Sequence, residues 1–173
     1  MVIDTVKVGS LQTNCYILKK DNKCLIIDPG ADYESIKEKL KGLEILGILI
    51  THSHFDHVGA LEDIANEYHV DILGYGVAKE KCYSIGPFKF NVIFNPGHSN
   101  DSISFYFEEE KLMFVGDFIF KDNIGRCDLE GGSITKMYES IDSIKKYKDL
   151  MLYPGHGSAT TLEYERTNNP YFN

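Results

Sequence analysis

Short apolar runs recur along the whole chain and alternate with segments whose apolar residues follow a helical spacing. The apolar runs are bounded by polar or turn-forming residues and predict buried β-strands. These strands are predicted at residues 15–18, 25–27, 45–50, 90–94, 103–107, 112–115 and 150–153. Helices are predicted at residues 33–40, 58–68 and 134–147. Strands and helices that alternate in this way indicate an α/β or mixed α+β fold.

The length and the composition are typical of one compact domain. The chain has 173 residues, of which 43% are apolar, so we expect a single domain over residues 1–173. We find no internal repeat, low-complexity segment or Pro/Ser-rich linker that would divide it. No apolar stretch approaches the roughly 18 residues of a membrane helix, and the start MVIDTVKVGS does not resemble an export signal. We therefore expect a cytoplasmic protein without a membrane partner.

The charge balance argues against nucleic acid as a partner. The formal net charge is -8, and the lysines and arginines are dispersed along the chain. Affinity for phosphate backbones comes largely from clustered basic residues. The sequence therefore favours a small-molecule substrate, and it leaves the oligomeric state open.

Residues 51–57, THSHFDH, are the densest group of potential ligands in the sequence. Three histidines and one aspartate stand within six positions, directly after the apolar run 45–50. Imidazole nitrogen and carboxylate oxygen are ligands suited to zinc, iron or manganese. In an extended segment, residues two apart point the same way, so His52 and His54 can share one metal while Asp56 and His57 face another. This segment therefore predicts ligands for two adjacent metal sites.

Three further candidate ligands stand where other apolar runs end. His98 closes FNVIFNPGH, Asp117 closes KLMFVGD and His156 closes DLMLYPGH. Taken singly, a histidine in such a turn is more simply a polar residue satisfied by hydrogen bonds. Together with residues 51–57, the three strand-end ligands predict a metal site. His69, the remaining histidine, is interpreted as an ordinary surface or packing residue.

Asp28, in LIIDPG, also ends an apolar run. Its carboxylate fits two interpretations equally well. It either starts a turn, or orients a ligand loop from outside the metal site.

Four motifs in this order and spacing, THSHFDH, PGHSNDS, VGD and PGHG, resemble the metallo-β-lactamase superfamily. The segments TNCYIL, GDFIFKDNIGRCDLEGG and ERTNNPY resemble its small hydroxyacylglutathione hydrolase (glyoxalase II) like branch, so the likeness covers nearly the whole chain. The resemblance implies a four-layer αββα sandwich with a dinuclear metal centre at one sheet edge. By the family's pattern, the first metal is held by His52, His54 and His98, the second by Asp56, His57 and His156, and Asp117 bridges them.

The resemblance also implies the chemistry of a metal-dependent hydrolase. Two divalent cations, with zinc first and iron or manganese as alternatives, can share a bridging water and lower its pKa toward neutrality. The resulting hydroxide would attack a thioester or a related activated carbonyl, and Asp56 would orient it as a catalytic residue.

Other activities remain open on the sequence alone. A thioester of glutathione, another thioester or a lactone fits the same hydrolytic chemistry. Persulfide dioxygenases are similar in sequence but use one iron held by two histidines and an aspartate, so an oxidoreductase is the second hypothesis. A metal-binding scaffold without catalysis is the third, and the complete set of ligand positions disfavours it.

Overall fold

The residues that the structure describes form two β-sheets that lie face to face. The structure is a computed structural model, and it describes residues 1–74 and 76–172. The first sheet contains, in spatial order, β1 (Val2–Val8), β2 (Thr13–Lys20), β3 (Lys23–Ile27), β4 (Glu44–Leu49) and β5 (Ile72–Leu73). The pairs β1/β2 and β2/β3 are antiparallel, whereas β3/β4 and β4/β5 are parallel. The ends of β3 and β4 therefore lie at the same edge of this sheet.

The second sheet comes mainly from the later part of the chain. Its strands are β6 (Cys82–Ile85), β7 (Phe88–Phe94), β8 (Ile103–Phe107), β9 (Leu112–Gly116), β12 (Met151–Pro154) and β13 (Thr160–Thr161). Their spatial order is β13-β12-β9-β8-β7-β6. Because β8 is antiparallel to both β7 and β9, and β9 is parallel to β12, the strands β7, β9 and β12 all run in one direction. The strands β10 (Ile119–Phe120) and β11 (Asn123–Ile124) form a separate hairpin.

Helices cover the outer faces of both sheets. They are α1 (Tyr33–Leu40), α2 (Phe55–Val58), α3 (Leu61–Tyr68), α4 (Ile134–Ile144) and α5 (Leu162–Asn168), and a short 3-10 turn follows at Pro170–Phe172. Within residues 1–74 and 76–172, none of the helices combines the length and apolar character that crossing a bilayer requires.

Alternation along the strands explains the layers. Tyr16 and Leu18 of β2 point between the sheets, where they share a buried cluster with Phe105 and Phe114 of the second sheet. The intervening Ile17 points to the other face, because successive side chains of a strand alternate. A strand buried on both faces needs a continuous apolar run, as the sequence shows here.

The interface between each sheet and its helices is also apolar. On the first sheet, Ile17 packs in one buried cluster with Ile36 of α1 and Ile64 of α3. On the second sheet, Met113 of β9 packs with Met137 of α4. The order of layers is helix, sheet, sheet, helix, so the predicted αββα sandwich is confirmed.

Hydrogen bonds from the C-terminal segment hold the β10–β11 hairpin against the second sheet. Glu165 of α5 is fully buried and accepts hydrogen bonds from Asp122 N (3.0 Å), Thr160 Oγ1 (2.5 Å) and Asn169 Nδ2 (2.8 Å). The Asn169 amide also donates to Asn123 O at 2.9 Å. A buried carboxylate with these partners is satisfied, so the network holds the hairpin in a defined position.

The predicted helix 58–68 is wrong at its start. The structure has α2 ending at Val58 and α3 beginning at Leu61. The Ala60 amide donates to Pro29 O at 2.9 Å, a bond to another segment that interrupts the helical ladder. The predicted helix 134–147 ends earlier, at Ile144.

Candidate metal centre

Seven side chains among the described residues meet at one edge of the sandwich. They are His52, His54, Asp56, His57, His98, Asp117 and His156. Those of residues 52–57 follow the end of β4, while β7, β9 and β12 each end shortly before one of the other three. Strands that run in the same direction end at the same edge, which explains why residues far apart in sequence converge here. The structure thus brings together all the ligand candidates that the sequence predicts.

The candidate ligands fall into three overlapping groups. In each group the ligand atoms lie within 4.8 Å of one another. The groups are His52/His54/His98, Asp56/His57/His156 and His52/His57/Asp117. The first two do not share a residue, whereas the third connects them.

Asp117 reaches both of the separate groups. Its Oδ2 lies 3.6 Å from His98 Nε2 and 3.5 Å from His156 Nε2. Its Oδ1 lies 3.4 Å from His57 Nε2. The carboxylate of Asp117 therefore lies within reach of both groups, where two metal ions could share it.

Backbone carbonyls orient two of the imidazoles. His98 Nδ1 donates to Arg126 O at 2.8 Å, and His156 Nδ1 donates to Leu11 O at 3.1 Å. A carbonyl oxygen only accepts, so the proton of each neutral ring is on Nδ1. Each ring therefore offers the lone pair of Nε2 to the cluster, as metal-ligating histidines commonly do.

Asp28 orients the imidazole of His57 directly and that of His52 through Thr51. Its carboxylate accepts hydrogen bonds from Thr51 N (2.8 Å), Thr51 Oγ1 (2.6 Å) and His57 Nδ1 (2.9 Å). Because the Thr51 hydroxyl gives its hydrogen to Asp28, its oxygen can accept from His52 Nδ1 at 3.1 Å. These contacts favour the second interpretation of Asp28, as a carboxylate that orients ligands from outside the cluster.

Buried polar atoms without partners mark the centre of the cluster. His52 Nε2, His57 Nε2 and Asp117 Oδ1 are buried and have no hydrogen-bond partner in the described part of the chain. Each unsatisfied buried atom costs about 1–3 kcal/mol. Two imidazole nitrogens and a carboxylate oxygen that share one space suit a cation, so the residues present fit a metal ion.

The two buried histidines His52 and His57 differ in pKa because different charges surround them. Burial and the neighbouring imidazoles hold the pKa of His52 well below its ordinary value. Burial acts in the same direction on His57, but the carboxylates of Asp28 and Asp117 outweigh it and raise the pKa of His57 to about 10. A cation bound at this position replaces the proton, since metal ligands must be deprotonated.

Glycine at position 155 allows the β12 loop to approach the cluster. A Cβ atom there would overlap Asp117 Oδ1 and lie 2.6 Å from His57 Cε1. The Gly155 amide also donates to Gly116 O at 2.8 Å. The PGHG turn can therefore bring His156 to the centre only if residue 155 lacks a side chain.

Two residues of the TNCYIL segment support the site, although sequence reasoning assigned them no role. Thr13 Oγ1 donates to Asp56 Oδ2 at 2.8 Å. Asn14 Nδ2 donates to Pro154 O at 2.9 Å and thereby holds the loop of His156. The partners are 43 and 140 residues apart, so no local pattern could have indicated these contacts.

His69 lies apart from the cluster. It ends α3 in a left-handed conformation and is exposed. Its prediction as an ordinary surface residue agrees with this position.

A pocket of about 650 Å³ opens over the cluster. Its lining consists of Leu11, His54, Phe55, Asp56, His98, Asp117, Phe120, Asn123, Ile124, Arg126, Leu129 and His156. Five candidate ligands belong to this lining, so a molecule in the pocket would contact the cluster directly.

Comparison with known proteins identifies the family. The family model described as the metallo-beta-lactamase superfamily matches residues 8–94 and 79–156. The chain belongs to this superfamily. As a superfamily member it is related to metallo-hydrolases, and its His/Asp cluster is suited to two metal ions.

Similar superfamily members extend over nearly the whole chain. A probable metallo-hydrolase of Bacillus subtilis, YqgX, is 32% identical, covering 96% of this chain and 95% of its own. The hydroxyacylglutathione hydrolase GloC of Haemophilus influenzae is 28% identical and covers 100% and 99%. Among solved structures, the BLEG-1 B3 metallo-beta-lactamase has a TM-score of 0.95 at 31% identity, with 99% of each chain covered.

Proposed function

We propose that this protein hydrolyses a thioester, or a closely related activated carbonyl, of a small molecule with two divalent metal ions. The observation that carries the proposal is that His52 Nε2, His57 Nε2 and Asp117 Oδ1 are buried together without hydrogen-bond partners in the described part of the chain. Asp117 and four other candidate ligands of this cluster line a pocket. Zinc is the first candidate because imidazole and carboxylate ligands suit it, and iron or manganese would fit the same donors.

The ligand groups suggest how the two ions would be held. His52, His54 and His98 would hold one ion, and Asp56, His57 and His156 the other, with Asp117 shared. Two such ions supply a Lewis acid for a carbonyl oxygen and a water of lowered pKa.

Asp56 is proposed to orient the attacking water. Its Oδ2 is fixed by Thr13 Oγ1 at 2.8 Å and lies 3.2 Å from His156 Nε2. Partial burial acts to raise the pKa of Asp56, but a hydrogen bond from the protonated His156 ring and the charge of His57 hold it well below its ordinary value in the metal-free cluster. The carboxylate is thus ionised at neutral pH and can accept a hydrogen bond from the attacking water, which orients that water. Hydrolysis forms a C–O bond and breaks the C–S bond, and the proton that the water loses leaves with the thiolate.

Similarity to named relatives favours thioesters among the possible carbonyl substrates. GloC, which covers the full chain at 28% identity, is a hydroxyacylglutathione hydrolase. The segments TNCYIL and ERTNNPY resemble the same branch, and here they hold the His156 loop and the β10–β11 hairpin.

Cleavage of a β-lactam amide is a second candidate. The likeness to the BLEG-1 metallo-beta-lactamase, with a TM-score of 0.95 at 31% identity, specifically favours it. The same residues would serve, since both reactions add water to a carbonyl and expel a heteroatom.

The proposal is tested with S-lactoylglutathione and with the acetyl thioester of N-acetylcysteamine. We expect the zinc-reconstituted protein to hydrolyse a thioester, measured by the loss of ultraviolet absorbance, and a chelator to abolish this rate reversibly. Nitrocefin and a thiol persulfide, with oxygen consumption recorded, are tested in parallel. Oxygen consumption without thioester hydrolysis, or no thioester hydrolysis with two zinc ions bound per chain, would contradict the proposal.

A further inference from the structure

Large apolar side chains surround the pocket above the candidate metal centre. We call this group the apolar rim, and it consists of Leu11, Phe55, Phe120, Ile124 and Leu129. The side chains of Phe55, Leu11 and Leu129 are 75%, 52% and 40% exposed. They come from the turn after β1, from α2 and from the segment after β11, so the fold gathers them from separate parts of the chain.

Exposed apolar side chains gathered around one concave region indicate a binding surface. Single exposed apolar residues are normal, but a contiguous group around a pocket is covered favourably by an apolar ligand. Phe55 stands between the candidate ligands His54 and Asp56 in the chain. Leu11 is held beside another ligand, because its carbonyl accepts the hydrogen bond from His156 Nδ1 at 3.1 Å. A group that covers the rim would therefore lie next to the reacting carbonyl.

The charged side chains that line the pocket are poorly suited to an anionic thiol such as glutathione. Apart from histidine, Arg126 provides the basic side chain among the described residues that line the pocket. Its Nε and Nη2 each bind a carboxylate oxygen of Asp128 at 2.8 Å. This bidentate pair occupies two of the five N–H donors of the arginine and neutralises its charge, so a glutathione carboxylate would compete with Asp128 for it.

We propose that the apolar rim binds the acyl group of the substrate, so that the enzyme selects thioesters by an apolar acyl chain rather than by a charged thiol. The inference rests on the proposed function and names its substrate class: medium-chain or aryl acyl thioesters. The pocket volume of about 650 Å³ lies within the range of about 300–1,000 Å³ that small-molecule sites occupy.

The chain-length dependence of kcat/KM tests this inference. The substrates are acetyl, butanoyl, hexanoyl and octanoyl thioesters of N-acetylcysteamine, a neutral thiol. We expect kcat/KM to rise by up to about fourfold for each added CH₂ that the rim covers. Phe55→Ser and Leu129→Ser should flatten this dependence, and Phe55→Leu should restore most of it. Tyr138→Ser, at an exposed aromatic residue of α4 outside the rim, should leave it unchanged.

Binding of thioethers that cannot be hydrolysed separates this inference from the proposed function. S-octyl-N-acetylcysteamine should bind more tightly than the S-ethyl compound by calorimetry, and Phe55→Ser should reduce the difference. This result without any hydrolysis would support the rim and contradict the thioesterase. Equal rates and affinities for all chain lengths, or a preference for S-lactoylglutathione over octanoyl-N-acetylcysteamine, would overturn the inference while leaving thioester hydrolysis intact.

Discussion

Replacing Asp56 with alanine is expected to lower kcat/KM for thioester hydrolysis by more than about a hundredfold. Loss of a residue that only orients a metal ligand costs about 10–100-fold, and Asp56 is proposed both to bind a metal and to orient the attacking water. The fold should persist, because Asp56 lies partly exposed in the short helix α2.

Zinc-reconstituted Asp56→Ala and Asp56→Asn proteins should be compared for rate, zinc content and circular dichroism. Asp63→Ala is the matched control, since Asp63 is an exposed carboxylate on the neighbouring helix α3. Asp63→Ala should hydrolyse the thioester at the rate of the unsubstituted protein. Full activity in Asp56→Ala would exclude Asp56 from catalysis.

The second large effect is expected at Asp28, although this residue belongs to none of the three groups of candidate ligands. Asparagine would place an NH₂ group where the carboxylate accepts bonds from Thr51 and His57, and would leave a buried donor unpaired. Removing one member of a buried charged network costs about 3 kcal/mol, so we expect the free energy of unfolding to fall by about that amount. Zinc affinity should fall by about 10–100-fold, because His57 loses the group that orients it.

Asparagine is preferred to alanine at this position because Asp28 has a left-handed backbone, with φ of 51°, which asparagine tolerates. Asp32→Asn is the matched control, since Asp32 has the same φ of 51° but an exposed side chain. Urea unfolding of the metal-free protein and competition with a zinc chelator measure the two effects. Equal stability and equal zinc affinity in Asp28→Asn and Asp32→Asn would show that Asp28 does not position the site.

Much of the fold could be predicted from the sequence because several strands are buried on both faces. β2, β3, β4 and β9 coincide with continuous apolar runs, because each is covered by the opposite sheet and by helices. β1 was missed because its sequence VIDTVKV contains neither a continuous apolar run nor a regular alternation, and the strand lies at a partly exposed edge. Strand order depends on contacts between distant residues, so the four-layer arrangement was predicted only through the family resemblance.

The candidate site was more predictable than the fold around it. The rule that ligands gather where strands end identified His98, Asp117 and His156, because strand ends are visible in the sequence. The contacts of Asp28 with His57, and of Thr13 with Asp56, could not be predicted. They join separate segments, and only the packed sheets define their distances of 2.9 Å and 2.8 Å.

The number and position of the metal ions test the central claim most directly. Anomalous diffraction at the zinc edge, from crystals of the zinc-reconstituted protein, would locate them. We predict two peaks per chain, one among His52, His54 and His98 and one among Asp56, His57 and His156, with Asp117 in contact with both. A single peak, or peaks away from these side chains, would contradict the dinuclear centre.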